Sequence, residues 1–343
     1  MKFVLISSIF FIPLFTPFLR TLKGAKKING FISMQEYLCK ICGNSLGNKP
    51  MIVHEKMFNL HDEFVYFQCA TCGCLQIIEP PENIAKYYSF DKYYSYHLKA
   101  HKNSKLANIA KSLLAKGYLM GIIPSWVSYI EGSRLSLLKN IEKTTKILDI
   151  GCGNGMYLQQ MYLWGFKNLT GIDPYIENDI SYPCGIKIYK QDIYDHKGDY
   201  GLVMMHHSFE HMNMPLDVLK ECYRLLTPGG RLLIRIPVSD CFAFRKYGVN
   251  WFQIDAPRHF FLHTSKSMSI LADEAGFEIE NIKYDSMIYQ FTESEAYSRR
   301  SKLGSNYFKI SSKTKKMFQK QTKLLNILHD GDQACFIMKK RNF

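Results

Sequence analysis

The sequence lacks internal repeats, low-complexity segments and a convincing signal-peptide cleavage site, and acidic residues are scarce relative to basic ones. Its 343 residues include 44 lysines and arginines but only 30 aspartates and glutamates, so the formal net charge is +14. With 47% hydrophobic and 22% charged residues, the composition excludes disorder throughout the chain. The length indicates two domains, or one large domain with an appendage. The positive charge favours anionic partners such as nucleic acid, a membrane surface or phosphorylated small molecules.

The first 34 residues form an apolar leader whose role the sequence leaves open. The run FVLISSIFFIPLFTPFL follows Lys2 and precedes several basic residues, as in a signal-peptide core or a short membrane anchor. Pro13 and Pro17 argue against a membrane-spanning helix. A third alternative is that translation starts at Met34. We favour an extension without function, or peripheral membrane contact through residues 1–27, over export.

Ten cysteines in a chain of this length do not indicate a secreted disulfide scaffold, and a cytoplasmic location, with membrane association as an option, fits them best. Four of them form two C-x-x-C pairs, Cys39 with Cys42 and Cys69 with Cys72. Two such pairs separated by 26 residues are typical of a structural zinc site with four thiolate ligands. Strand-like runs on both sides of the second pair predict a small zinc ribbon over residues 35–80. Cys74 in place of Cys72, a redox pair or four unbound thiols are the alternatives.

The rest of the chain divides at about residue 146. Residues 81–145 hold stretches at helical spacing and predict a helical connector. Residues 146–343 alternate helical runs with the strand-like runs KILDI, LTGIDP, IKIYKQDI, YGLVMMHHS, RLLIRIP, FEIENIKYDSM and QACFIMKK. This alternation predicts an α/β fold with a Rossmann-like, mostly parallel, seven-stranded sheet that has helices on both faces. An insert at about residues 288–331 carries a cluster of lysines and arginines.

The string ILDIGCGNG places three glycines at alternate positions directly after the first of these strands. Glycine permits a tight turn and lets the backbone approach a ligand closely, and the next helix offers N–H groups at its positive end. A dinucleotide fingerprint requires G-x-G-x-x-G, but Met156 occupies the place of the last glycine. The second strand ends at Asp173, whose carboxylate can accept both hydroxyl groups of a ribose.

Two further acids lie at strand ends. Asp149 precedes the glycine loop and can either hold the loop or face an ammonium group of the ligand. Asp192 ends the third strand and can accept from an adenine amino group, with Ile193 available to pack on the ring. Each acid alone can simply cap a helix or a turn. Because the three acids lie at the ends of successive predicted strands, together they favour a nucleoside pocket.

These motifs resemble those of class I S-adenosylmethionine-dependent methyltransferases. ILDIGCGNG is similar to their first motif, GIDPY to the acidic strand end, QDIYD to the adenine-contacting motif and YGLVMMHHSFEHM to the fourth-strand motif. The resemblance covers about 150 residues and implies S-adenosylmethionine as the cofactor. It implies a cofactor pocket lined by Asp149, Gly151, Gly153, Gly155, Asp173, Asp192, Ile193 and, near the methionine part, His206.

The chemistry implied is an in-line displacement at the sulfonium methyl group, for which the protein mainly supplies position and desolvation. A hydroxyl acceptor also needs a base, and histidine has a suitable pKa range. The candidate catalytic residues are His206, His207, His211 and His259, with Glu210 as a further candidate base. The alternative for each histidine is a polar loop or pocket residue. The string WFQIDAPRH, which contains His259, follows the fifth strand and predicts a lid on the substrate side.

The order of the motifs gives a second resemblance. Cysteine knuckles, then Pro80-Pro81, then YYSFDKYYSYH and then the cofactor motifs are similar in order to methyltransferases of bacterial sugar and surface-polysaccharide biosynthesis, some of which carry an N-terminal zinc module. This resemblance implies a sugar, nucleotide-sugar or lipid-linked glycan as the acceptor. Four tyrosines would then lie at the edge of the active site or on the glycan, with interdomain packing as the alternative: Tyr87, Tyr88, Tyr93 and Tyr94.

Three other functions compete with this interpretation. The net charge and the basic, aromatic insert suit an RNA methyltransferase, although HHSFEH stands where a base N-methyltransferase has N/D-P-P-Y/F. A non-catalytic binding module on the same fold requires a broken cofactor site, and the motifs show none. An NAD-dependent oxidoreductase is disfavoured by Met156 and by the acid that ends the third strand.

Overall fold

The computed structural model describes residues 27–28, 31–32, 37–88, 105–123, 133–303 and 310–341. The strands in chain order are β1 (Lys27–Ile28), β2 (Phe31–Ile32), β3 (Lys49–His54), β4 (Glu63–Gln68), β5 (Leu75–Ile77), β6 (Ile147–Ile150), β7 (Leu169–Ile172), β8 (Ile180–Ser181), β9 (Lys187–Tyr189), β10 (Tyr200–His206), β11 (Leu226–Pro237), β12 (Phe261–Leu262), β13 (Phe277–Tyr284) and β14 (Gln333–Lys340). The α-helices are α1 (Lys105–Leu119), α2 (Met156–Leu163), α3 (Pro215–Leu225), α4 (Phe242–Tyr247), α5 (Ser265–Glu274), α6 (Tyr289–Leu303) and α7 (Ser312–Ile327). Short 3-10 helices cover Ile84–Tyr88, Ser133–Leu138, Phe209–His211, Gly248–Asn250 and Phe252–Ile254.

The main sheet has the strand order β13-β14-β11-β10-β6-β7-β9-β8. The five strands from β11 to β9 pair in parallel, whereas β14 runs antiparallel to both of its neighbours. Parallel neighbours need a crossover connection, and the helical runs between the apolar strands supply it. The Rossmann-like, mostly parallel sheet expected from the alternating pattern is therefore confirmed.

The expected number of seven strands is wrong, because β8 adds an eighth strand at the edge of the sheet. This strand has two residues and pairs antiparallel with β9 through Ile180 with Ile188 and Ser181 with Lys187. A turn folds it back on β9, with the Tyr182 amide bonded to the Ile186 carbonyl at 2.9 Å. Two residues are too few to show a hydrophobic alternation, so the sequence pattern could not reveal this strand.

The inner strands of the main sheet are buried on both faces. In β10, Val203 and Met205 belong to one buried cluster, whereas Leu202 and Met204 belong to another. Successive side chains of a strand point to opposite faces, so the two clusters cover the two faces of the sheet. This burial explains why the strand reads as a continuous apolar run rather than an alternating one.

The two cysteine pairs are connected to a second sheet, which is antiparallel and has the order β12-β5-β4-β3. Its edge strand β12 comes from the C-terminal half of the chain, where Phe261 pairs with Gln76 and Leu262 pairs with Leu75. The Ile77 amide also donates to the Phe260 carbonyl at 3.0 Å. The cysteine module and the segment that follows His259 therefore share one sheet.

Several predicted segments lie wholly or partly outside the described residues. Of the apolar leader, only the antiparallel pair β1 and β2 is described, and Tyr93 and Tyr94 fall in the range 89–104 that the structure leaves out. The range 288–331 contains α6 and α7, which are joined by stacking of Phe291 on Phe318 at a centroid distance of 4.8 Å. Among the described residues, no helix has both the length and the apolar character needed to cross a membrane.

Candidate active site

The glycine loop between β6 and α2 is fixed by steric fit as well as by backbone conformation. Gly151, Gly153 and Gly155 have φ values of 72°, 54° and 70°, which residues with a side chain rarely adopt. A Cβ atom on Gly151 would lie 2.5 Å from the Cβ atom of Ser208, and one on Gly155 would overlap the side chain of Ile188. The loop is therefore packed between the segment after β10 and strand β9.

Asp173 directly follows β7 and ties the glycine loop to the second strand. Its Oδ2 atom accepts a hydrogen bond from the Gly153 amide at 2.8 Å, and its Oδ1 atom accepts one from the Tyr175 amide at 2.9 Å. The carboxylate is 8% exposed and lies at the carboxyl edge of the parallel strands, where open α/β sheets bind ligands. Asp173 holds the loop in shape, and its contact with a ribose stays a prediction.

Asp149 lies in β6 just before the loop and is 3% exposed. Burial raises the pKa of Asp149 to about 7, with Asp173 contributing in the same direction and Arg134 in the opposite direction. The guanidinium of Arg134 lies over the ring of Tyr157 at 4.4 Å. Because an opposite charge favours ionisation, a cationic group placed beside Asp149 would shift its carboxyl to the charged form.

Asp192 and Ile193 lie in a turn after β9. Asp192 is exposed and accepts from the Tyr194 amide through Oδ1 at 3.1 Å. Ile193 is 5% exposed and belongs to the main buried cluster. Their predicted contact with an adenine ring stays a prediction, because the local turn explains the Asp192 contact equally well.

His206 is the last residue of β10, and its ring contacts Tyr157 edge to face at a centroid distance of 4.7 Å. Both ring nitrogens are buried, and neither has a hydrogen bond to any described residue. Burial, reinforced by Arg134 and Arg235, holds the pKa of His206 well below its usual range. A neutral imidazole of this kind is a weak base, but it has one donor and one acceptor to offer a ligand.

His207 occupies a left-handed turn after β10, with φ at 55°. Arg235 on β11 donates to its Nε2 atom at 2.6 Å, so the neutral ring carries its proton on Nδ1. That Nδ1 atom lies 3.3 Å from Oε1 of Glu210. Arg235 is itself paired with the buried Asp285 at 2.7 Å. A chain of charged and polar groups therefore runs from Asp285 through Arg235 and His207 to Glu210.

His211 and His259 are held in the same way, each through its Nδ1 atom. Nδ1 of His211 lies 2.8 Å from the Arg258 carbonyl and 2.9 Å from the Tyr88 hydroxyl, and Nδ1 of His259 lies 2.7 Å from the Gln253 carbonyl. A carbonyl only accepts, so Nδ1 carries the proton in both rings and each Nε2 keeps its lone pair. The two rings meet edge to face at 4.7 Å. Burial, followed by the proximity of His259, lowers the pKa of His211.

Glu210 lies between these histidines and is fully buried. Among the described residues, neither carboxylate oxygen has a hydrogen bond of good geometry, and the nearest N–H group is that of His207. Its nearest ionic contacts are His207 at 3.3 Å and His259 at 3.9 Å. Burial alone would raise the pKa of Glu210, but the contacts with His207, His211 and His259 outweigh it and lower the pKa to about 2. The side chain is therefore a buried carboxylate.

Arg258 joins the cysteine module to the segment that contains His259. Its guanidinium is fully buried and donates to Glu55 at 3.0 Å, to Asp255 at 2.9 Å and to the Tyr87 carbonyl at 3.1 Å. Glu55 directly follows β3 of the module. Removal of one partner from such a buried network would leave a charge unpaired. The network therefore holds the segment WFQIDAPRH, which the sequence analysis predicted to be a lid, against the cysteine module.

The four paired cysteines converge on one point. The sulfur atoms of Cys39, Cys42, Cys69 and Cys72 all lie within 4.8 Å of one another, with 3.6 Å between Cys39 and Cys72 and 3.5 Å between Cys42 and Cys69. A tetrahedron of sulfurs about 2.3 Å from zinc has edges of roughly 3.8 Å. Donors also face the sulfurs, since the Gln76 side-chain amide lies 2.8 Å from Cys39. Cys74 is buried outside this group.

The structure brings together three of the four predicted catalytic histidines, while His206 instead contacts Tyr157. Sequence reasoning missed the arginines that organise the site, of which Arg235 and Arg258 are the clearest cases. Arg235 could have been identified from the sequence, because a charged residue inside the apolar run RLLIRIP indicates a buried charge that needs a partner. Glu55 could not, because the segment around it carries no motif.

Residues 128–282 match the model of a family described as a methyltransferase domain. A tRNA U34 carboxymethyltransferase of Campylobacter curvus is 27% identical over 156 residues, which cover 40% of this chain and 51% of that protein. A ubiquinone biosynthesis O-methyltransferase of Marinobacter nauticus is 30% identical over 142 residues, which cover 36% and 57%. The chain therefore spans about half the length of these curated relatives. A solved SAM-dependent methyltransferase of Thermotoga maritima is 16% identical, with a TM-score of 0.40 over 74% of this chain and 97% of that chain.

The family match identifies residues 128–282 as similar to a methyltransferase domain, and the strand order and the glycine loop agree with the Rossmann-like fold expected for such a domain. The prediction of a methyltransferase is confirmed at the level of this domain, and the family supports S-adenosylmethionine as its cofactor. The two curated relatives described here are named for reactions on tRNA and in ubiquinone biosynthesis, and neither name mentions a sugar.

Proposed function

We propose that this chain transfers the methyl group of S-adenosylmethionine to a polyhydroxyl acceptor, namely a sugar, a nucleotide-sugar or a lipid-linked glycan. The observation that carries the proposal is the pair of largely buried acids, Glu210 and Asp255, whose oxygens both lie 3.9 Å from Nε2 of His259. Glu210 is a buried carboxylate, and Asp255 is 13% exposed. Carboxylates accept hydrogen bonds from hydroxyl groups and repel phosphates. These carboxylates therefore suit the sugar ring of the acceptor, which is neutral and rich in hydroxyl groups, whereas any phosphate group of the acceptor would lie away from them.

The segment after β10 supports a position for the acceptor next to the cofactor loop. Ser208 contacts Gly151 and donates to the Ile150 carbonyl at 2.9 Å, and Glu210 and His211 follow two and three residues later. Bound S-adenosylmethionine supplies an activated methyl group on its sulfonium. The protein's own residues would orient the cofactor at Asp173 and the acceptor beside Glu210 and His211, and the surrounding burial would exclude water.

We also propose that the four paired cysteines hold a structural zinc ion. The support is the donor set, four sulfurs at nearly tetrahedral spacing with N–H groups directed at them. The amides of Ile41 and Cys72 lie 3.4 Å and 3.5 Å from the sulfurs of Cys39 and Cys69, and such donors stabilise thiolates. Four protein ligands leave no position for a substrate, so the ion would stabilise the module.

Calorimetry with S-adenosylhomocysteine tests cofactor binding, and Asp173→Ala is the decisive variant. We expect the affinity to fall by about 100-fold, because both the loop anchor and the predicted ribose contact are lost. Asp195→Ala is the matched control, since Asp195 is an exposed acid in the same half of the sheet and should leave the affinity unchanged. Wild-type affinity in Asp173→Ala would contradict the predicted pocket.

A substrate panel tests the acceptor class. The full chain is incubated with S-adenosylmethionine and with sugar nucleotides, lipid-linked glycans or RNA, and release of S-adenosylhomocysteine is measured. Release with a sugar-containing acceptor supports the proposal. Release with RNA alone would replace it with the second candidate.

That second candidate is an RNA methyltransferase, and one observation favours it. Helix α7 exposes a row of lysines: Lys313, Lys315, Lys316, Lys320 and Lys323. Its other side is buried through Phe318 and Leu325. Such a face suits a phosphate backbone, and steeply salt-dependent RNA binding that is weakened in Lys315→Ala/Lys316→Ala would support it. A non-catalytic module would instead show no S-adenosylhomocysteine binding at all.

A further inference from the structure

A second cluster of possible metal ligands lies outside the cysteine module. Ligand atoms of Glu210, His211 and His259 all lie within 4.8 Å of one another. Two histidines and one carboxylate form a ligand set that binds divalent first-row metals and leaves coordination positions open. The cluster is drawn from two segments, the 3-10 helix after β10 and the segment before β12, so their convergence is a feature of the tertiary structure.

The tautomers of both histidines suit metal binding. Metal-ligating histidines almost always donate their other ring N–H to a carbonyl or a carboxylate, which fixes the ring and the tautomer. His211 and His259 do this through Nδ1, toward the Arg258 and Gln253 carbonyls at 2.8 Å and 2.7 Å. The lone pair of each Nε2 atom is therefore left for a ligand, and that of His259 lies 3.9 Å from Oε1 of Glu210.

Glu210 supplies an independent observation. Its side chain is fully buried, and no described residue gives its oxygens a hydrogen bond of good geometry. The nearest donor is Nδ1 of His207, 3.3 Å from Oε1, and it leaves Oε2 without a partner among the described residues. A carboxylate in such a place needs a cation. The nearby guanidinium of Arg258 is already engaged by Glu55 and Asp255, and that of Arg235 is engaged by Asp285.

The local charge also fits a divalent ion. Two largely buried carboxylates, Glu55 and Asp255, face the Arg258 guanidinium. A third, Glu210, lies close to them, because Nε2 of His259 is 3.9 Å from both Asp255 and Glu210. Three carboxylates and one guanidinium leave two negative charges for the imidazoles or a bound cation to balance. Buried charges are paired or coordinate metals, and a single divalent cation would balance this set.

The geometry points to a divalent metal site formed by Glu210, His211 and His259, distinct from the four-cysteine site, that binds Mn²⁺, Fe²⁺ or Zn²⁺. Typical metal–nitrogen bonds of roughly 2.1 Å require the ligand atoms to draw together slightly around the ion. Three protein ligands leave open positions for oxygen atoms of a ligand. We assign these positions to hydroxyl oxygens of the acceptor. This last assignment rests on the proposed function, whereas the metal site itself does not.

Titration with Mn²⁺ tests the metal site in the full chain loaded with one equivalent of Zn²⁺, which the four thiolates bind in preference to a site of nitrogen and oxygen ligands. Mn²⁺ prefers oxygen and nitrogen ligands and does not compete for a thiolate site, so loss of the free Mn²⁺ signal in electron paramagnetic resonance reports the new site alone. We expect one Mn²⁺ per wild-type chain. In Glu210→Gln and in His259→Gln the dissociation constant should rise by about 100-fold or more, since even outer-shell changes cost roughly 10- to 100-fold.

A matched control and a second readout make the outcome decisive. His54→Gln removes a histidine that is 41% exposed at the side chain and lies outside the cluster, and it should bind Mn²⁺ as the wild type does. S-adenosylhomocysteine affinity, measured on the same samples, shows that each variant is folded and reports separately on the proposed function. Absence of Mn²⁺ binding by the wild type would overturn the site, as would wild-type affinity in either folded variant.

Discussion

The proposed cofactor side and the proposed acceptor side of this protein are built in opposite ways. The cofactor side is a nearly continuous piece of chain, from Asp149 through the glycine loop to Asp173, and its key contact joins a backbone amide to a carboxylate only 20 residues away. The acceptor side draws on Glu55, residues 207–211 and residues 255–259, and its central ion pair joins residues 203 positions apart. Backbone shape defines the first side, and convergence of buried charges defines the second.

Because of this difference, the two sides are sensitive to different kinds of substitution. The glycine loop depends on the absence of side chains, so any added atom disturbs it. The acceptor side depends on a balance of charges in a dry environment, so removal of one partner leaves another charge in a low dielectric without compensation. Substitutions that target one side at a time therefore test whether the two are independent.

The largest expected effect comes from Arg258→Met, which strips the guanidinium from Glu55 and Asp255. Breaking a buried ion pair typically costs about 3–5 kcal/mol, so we expect chemical denaturation to show a loss of that size in the free energy of unfolding. Arg341→Met is the matched control, because its pair with Asp273 is exposed and should cost less than about 1 kcal/mol. Equal losses in both variants would show that the Arg258 network does not support the acceptor side.

A similar effect, confined to the cofactor side, is expected for Gly151→Ala. The new Cβ atom would lie 2.5 Å from Ser208 in a left-handed conformation, and we expect the affinity for S-adenosylhomocysteine to fall by about 100-fold. Gly229→Ala is the control, since Gly229 also has φ at 70° but a Cβ atom there would have no described atom within 4 Å. Calorimetry that gives the same affinity for both variants would refute the close-packing explanation.

A smaller effect concerns pH. The pKa of Asp149 is raised to about 7 in the free protein, and an adjacent ammonium group of the cofactor favours its ionised form. Affinity for S-adenosylhomocysteine should therefore rise with pH through 7 and level off above it. The affinity should be roughly tenfold lower at pH 6 than on the plateau, because about one molecule in ten is then ionised. Asp149→Asn should abolish this dependence, and an unchanged profile in that variant would place the titrating group elsewhere.

The smallest effect is expected for Asp192→Ala. Asp192 is exposed, and the hydrogen bond that it is predicted to make with the adenine amino group is worth about 1 kcal/mol, which corresponds to roughly fivefold in affinity. Competition with an analogue that lacks the amino group measures this contact. If Asp192→Ala weakens both ligands equally, the side chain acts only in its local turn with Tyr194.

Each part of the structure could be predicted only if the residues that form it lie close together in the sequence. The parallel strands could be predicted because each is an apolar run of strand length between helical runs, as with Tyr200–His206. The two-residue β8 and β12 could not, because strands of this length exist only through their partners. The cysteine cluster was visible in its spacing. By contrast, no local pattern predicts that Glu55 pairs with Arg258 or that Phe261 extends the sheet of the cysteine module.

By itself the sequence determined the α/β alternation, the glycine loop with its acids and the four converging cysteines, because hydrophobic period, glycine conformation and ligand spacing are all local properties. Only the tertiary structure decided how the acceptor side is assembled. The positions of Arg235 and Arg258, the proton positions on His211 and His259 and the burial of the Glu210 carboxylate depend on contacts between distant segments. Such contacts depend on burial and charge balance in the folded chain, so they cannot be predicted from any single segment of the sequence.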